Sequence, residues 1–195
     1  MPKTKKVLAT ALVIGLVGTV GGWATYSAFS STTTSAGNSF AAGTVAVGSN
    51  ASGSWMYQVS GAKPTDSVTK CTKVTYTGSL DAAVRLYASP PVGAVGNYID
   101  LTITPGTGSP TFPDCNTFVA DGAPVFSGTL KQFTDTYTNY ATGFVDNPGS
   151  ATEWVANDAV VYQFVLTLRD DNAANGGATA LTTGDHTFTW EARNI

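Results

Sequence analysis

The sequence predicts an all-β domain, an antiparallel β-sandwich, preceded by a short export segment. Three observations carry that reading. Glycine (21 residues), with Ser, Thr, Ala and Val, takes the place of the Glu, Lys, Leu and Arg that helices favour. Short runs of alternating apolar and polar residues recur between turn signals, and no helical crossover separates them. At 195 residues, with 43% hydrophobic and 12% charged side chains, the chain holds one real core and is too short for two.

The first residues, Met1 to Lys6, carry three lysines, and an uncharged run from Val7 to Trp23 follows, then Ala24-Thr25-Tyr26-Ser27-Ala28. That is the order of a signal peptide: basic start, apolar middle, small-residue cleavage zone. The alternative is a membrane anchor. The run of 17 residues falls short of the ~20 that span a bilayer comfortably, which favours cleavage. Loss of residues 1–28 removes three basic and no acidic residues, leaving seven against thirteen and a formal charge of −6. No basic stripe remains to neutralise phosphates, so nucleic acid is excluded as a partner.

Phe29 to Asn38 is polar, β-branched and poor in core-forming residues, and residues 29–39 read as a free arm ahead of a domain at 40–195. Strands are expected at Phe40–Val47 and Trp55–Val59, a hairpin across the Gly48 to Gly53 turn, and then at Val68–Tyr76 after Lys63-Pro64-Thr65-Asp66. In the last of these Val68, Val74 and Tyr76 share one parity and Cys71 has the other, so the alternation leaves the inward face open. Ala82–Tyr87 and Tyr98–Thr104 follow. The proline-broken middle offers Pro124–Phe126 and Thr129–Phe133 as short strands, with room for a helical turn. Val160–Arg169 places Tyr162, Phe164, Leu166 and Leu168 on one face, and Asp185–Arg193 does the same with His186, Phe188, Trp190 and Ala192.

Two cysteines, Cys71 and Cys115, in an exported chain pair with each other; two buried free thiols are the alternative. No catalytic constellation emerges. The single histidine, His186, lies in a strand, so neither the two-histidine zinc helix nor a Ser-His arrangement with G-x-S-x-G can be built. The loop Asp170 to Gly177 is rich in oxygen ligands, but from Asp171 the third position is Ala173 and the twelfth Thr182, which excludes an EF-hand and favours a solvated turn. No metal or cofactor is therefore expected. Trp55, Trp154 and Trp190 read as core aromatics, with glycan stacking as the alternative if a ring is exposed in a groove.

Ala24-Thr25-Tyr26-Ser27-Ala28-Phe29-Ser30, followed by Asn38-Ser39-Phe40-Ala41-Ala42-Gly43-Thr44-Val45, resembles the start of the TasA and camelysin family of exported bacterial proteins. Lys63 to Val68, Thr77 to Ala82 and Phe188 to Ala192 resemble its P-G-D turn, its N-x-G-S-L stretch and its closing strand. Thr65 stands where the family has Gly, and the cysteine pair is outside its general pattern. The resemblance implies a jelly-roll-like sandwich and cleavage between Ala28 and Phe29 by a SipW-type signal peptidase, with membrane attachment confined to the precursor. It further implies an extracellular fibre of the biofilm matrix built from copies of the chain. The assembly arm would be Phe29, Ser30, Ser31, Thr32, Thr33, Thr34 and Ser35 onward, donated as a strand to the next subunit; a stub or self-pairing is the other reading. Camelysin's description as a metal-dependent peptidase would come with the same resemblance, against the ligand count.

Overall fold

The computed structural model describes residues 41–51, 53–149, 151–170 and 182–195. The signal segment, the arm and most of the acidic loop lie outside these residues. The described fold belongs to the compact unit Ala42–Ile195.

Among the described residues, nine strands form two antiparallel sheets, numbered in chain order: β1 Val47–Ser49, β2 Ser67–Tyr76, β3 Ala82–Ser89, β4 Ile99–Thr107, β5 Val119–Ala120, β6 Phe126–Thr129, β7 Phe144–Val145, β8 Ala159–Leu168 and β9 Thr187–Asn194. The larger sheet runs β1-β2-β8-β4-β5, with β6 also on β4, and the smaller runs β7-β3-β9. The sandwich expected from the turn spacing is what forms.

Period-two alternation sets the core. Val74 and Tyr76 of β2, Val84, Leu86 and Ala88 of β3, Leu101 and Ile103 of β4, and Tyr162, Phe164 and Leu166 of β8 are buried together. Phe188 and Trp190 of β9 close over them, with the Phe164 ring 4.9 Å from that of Phe188 and 6.2 Å from that of Trp190. The inward parity of β2 is thus that of Val74 and Tyr76. Cys71 is buried on the opposite, outer face by its disulfide to Cys115, with Cα atoms 5.1 Å apart.

Three expected strands take other forms, the first being Phe40–Val47, where residues 41–46 are irregular and β1 begins only at Val47. Trp55–Val59 joins no sheet, and β1 pairs with β2 instead, Val47 opposite Tyr76. The hairpin expectation weighed aromatic and β-branched content; Met56 and Tyr57 do pack on the core, but as irregular chain. Thr129–Phe133 is largely helix, α1 at Leu130–Thr136. The Thr129 hydroxyl accepts from Gln132 N–H and caps the first turn, while Leu130, Phe133 and Thr134 fall on one helical face and are buried.

Candidate functional site

Hydrogen-bond direction alternates along a strand, so each edge can be followed residue by residue. On β2, even residues face β8: Tyr76 N–H donates to Asp158 O at 2.8 Å, and Asp66 O accepts from Leu168 N–H at 3.0 Å. Odd residues face outward. Thr77 N–H meets Ala46 O at 2.8 Å, Lys73 O accepts from Asn50 N–H at 3.0 Å, and Cys71 N–H donates to Pro113 O at 3.0 Å. The next outward residues, Thr69 and Ser67, have no backbone partner among the described residues.

The same reasoning applies to β9. On β3 the even residues point away from β9, because Ala88 N–H donates to Tyr137 O and Ala82 exchanges both bonds with Trp154. The odd residues of β3 therefore bind the odd residues of β9, Arg85 opposite Glu191. Phe188, Trp190 and Ala192 direct N–H and C=O outward, and no ladder among the described residues receives them.

Between these two edges runs Trp55–Val59. With Ser67, Val68, Thr69 and Lys70 it walls an open trough of about 520 Å³. Trp55 is 60% exposed and Val59 53%, whereas Trp154 is fully buried and Trp190 half-buried. Tyr57 ties this segment to the start of β9. Gly184 O can only accept, so His186 Nδ1 carries the proton for that 3.2 Å bond, and Tyr57 O–H donates to Nε2 at 2.5 Å. Burial lowers the His186 pKa, against the pull of Gly184 O and Asp185, and burial raises that of Tyr57.

Of the residues singled out from sequence, Cys71 and Cys115 are joined as expected, which fits an oxidising compartment. Ala28, Phe29 and the arm from Phe29 through Ser35 lie outside the described residues, as do Asp171 to Gly177. His186 lies one residue before β9 rather than within a strand, and both its ring nitrogens are taken up in hydrogen bonds, so it does not fit a metal ligand here. No group of three or more His, Cys, Asp or Glu side chains converges among the described residues. Composition and motifs gave no sign of the two unpaired edges or of the Tyr57–His186 contact, because both depend on which strands become neighbours. The exposed Trp55 has a weak local signal, its position just beyond a Gly-Ser-Asn turn.

No curated protein matches the chain. A family model described as Camelysin metallo-endopeptidase matches residues 3–97, a stretch that carries β1, β2 with its open edge, and β3, and stops short of β4 and β9. The match covers residues 3–97, just under half of the chain, and falls on the segment whose motifs resemble the camelysin and TasA family.

Proposed function

We propose that this chain is an extracellular structural protein of the cell surface or biofilm matrix, a fibre subunit that donates residues 29–39 as a strand to the next copy. The observation that carries the reading is the open side of the sandwich, where the outward backbone groups of β9 and of the start of β2 have no partners among the described residues. Such an edge recruits an extended segment by main-chain hydrogen bonds. The donor is neutral and rich in β-branched Thr, and its eleven residues span up to roughly 36 Å when extended, enough to follow the eight residues of β9. Cleavage between Ala28 and Phe29 by a SipW-type signal peptidase frees it from the membrane, so export licenses assembly. The role needs no cofactor, nucleic acid or catalytic group.

Negative-stain electron microscopy of the mature chain from Phe29, beside one from Phe40, tests this. Filaments from the first and monomers from the second are expected; monomers from both across varied pH, salt and concentration would sink it.

Two other readings have an observation each. The description of the matched family favours a metallo-endopeptidase; casein hydrolysis by the mature chain, lost with chelator and restored by zinc, would establish it. Exposure of Trp55 in the trough favours a glycan-binding module; quenching of tryptophan fluorescence by oligosaccharide in the parent but not in Trp55→Phe would establish that.

A further inference from the structure

The β2 edge is not open along its whole length, and what closes its middle is a loop from far away. The segment 108–118 leaves β4 and returns at β5, yet it reaches β2, which lies beyond β8 in the sheet. It therefore crosses the outer face of the larger sheet, where Val161 of β8 is buried. Its own turns hold it compact: Ser109 N–H donates to Thr117 Oγ1, Thr111 N–H to Asn116 Oδ1, and Asp114 N–H to Thr111 O. Four contacts then fix it to β2. They are the Cys71–Cys115 bond, Cys71 N–H on Pro113 O, Lys73 Nζ on Ser109 Oγ at 3.3 Å, and Asn50 Nδ2 on Pro110 O at 3.1 Å, the last relayed by Asn50 Oδ1 to Lys73 N–H.

Position gives this attachment its meaning. Residues 44–50 cover β2 from Lys73 onward, and Ser67 and Thr69 have no backbone partner on that edge among the described residues, so Cys71 N–H is the junction. With that junction closed, the open run is Ser67 to Thr69, three residues of which two face outward, short of the usual five or six of a strand. With it free, Ser67 to Cys71 would form a run of five, long enough to pair antiparallel with the same run of a second copy.

We propose that the disulfide-held loop is an edge cap: it keeps the β2 edge from pairing with the β2 edge of a second copy and leaves β9 as the edge that accepts a strand. Lys70 and Lys73 add repulsion between two such edges, a second guard of the kind exposed strands carry. The choice of β9 rests on the proposed fibre role; the cap itself does not.

The test uses the mature chain carrying Cys71→Ser and Cys115→Ser, with one new cysteine, under mild oxidation and non-reducing electrophoresis. Thr69→Cys, on the exposed edge, is expected to give covalent dimers, more of them at high salt as the lysines are screened. Ser127→Cys, exposed on β6, should give none in the same background, since a chain that had merely unfolded would cross-link through both. Thr69→Cys with the native disulfide intact should stay monomeric on the gel. Dimers through both positions, through neither, or through Thr69→Cys regardless of the native disulfide overturn the cap. A chain that makes no filaments but shows the expected cross-links fails the fibre reading and keeps the cap.

Discussion

The two long sides of this sandwich are finished differently. On the side of β3 and β4 every stretch of edge is occupied. β6 and β5 share the outer edge of β4, Val125 N–H and Asp121 N–H fill the interval at Ile103 O and Pro105 O, and β7, Tyr137 O and Trp154 cover β3. α1 packs against β3, β4 and β6 on that side. On the side of β2 and β9, one edge is covered only from Cys71 onward and the other has no ladder among the described residues. A fold that fills one pair of edges with short elements and, among the described residues, covers the other pair only in part has an asymmetry that strand addition can use.

The comparison breaks first on the closed side. Trp154 is fully buried, donates from Nε1 to Asp146 O at 3.0 Å, and bridges Ala82 through its backbone. Trp154→Ala leaves a large cavity and orphans a carbonyl, and is expected to cost about 3–5 kcal/mol, read from urea or thermal unfolding. A loss near 1 kcal/mol would mean the closed side is less tightly built than its hydrogen bonds imply.

The open side is sharpened by a pair of neighbouring prolines. Val68 N–H faces β8 by the alternation that Tyr76 and Asp66 establish, so Val68→Pro breaks a ladder bond and should cost about 3 kcal/mol or more. Thr69 N–H faces outward to no partner among the described residues, and Thr69→Pro should cost well under half as much on the same unfolding curves. Equal costs would show the edge assignment to be wrong.

Much of this was legible in the residues. The clean parity of Tyr162, Phe164 and Leu166, and of Phe188 and Trp190, announced two strands with one buried face, and both pack as that parity requires. The cysteine count foretold the disulfide. What could not be read was partnership. Val68–Tyr76 alternates on both parities because Cys71 is buried on the outer face by a loop 44 residues away in sequence, a tertiary contact that no local pattern encodes. Thr129 carried a capping hydroxyl that a β-propensity count scores as strand, and Trp55–Val59 has strand composition without a neighbour close enough to bond. The candidate site is made of such missing neighbours, so it emerges only when the sheets are laid out.

A smaller effect separates the two edges by pH. His186 is held neutral by burial, with its folded pKa below the ordinary histidine value of about 6.5. Its contribution to stability is full above that value and is lost as pH falls through the lowered folded pKa. Burial acts oppositely on Asp146, just beyond β7, whose carboxyl is raised, with Tyr162 opposing; its contribution is present in acid and lost as pH rises through the raised value. Denaturant midpoints measured from pH 4 to 8 should therefore lose their fall below pH 6.5 in His186→Gln, and should rise at neutral pH in Asp146→Asn. An unchanged acid limb in His186→Gln would show that burial does not hold the imidazole neutral.

Smallest of all should be the effect of the other tryptophan. Trp55 is as large as Trp154 but stands 60% exposed at the trough, so Trp55→Ala is expected to change folding stability by no more than about 0.5 kcal/mol. The contrast with Trp154 isolates what the open side is for. A large aromatic ring that contributes little to the fold lines the same trough as Thr69, and a docked strand or ligand would gain from it what the folded domain does not. If Trp55→Ala instead destabilised the chain as much as Trp154→Ala, the ring would be part of the core, and the trough would be closed in solution.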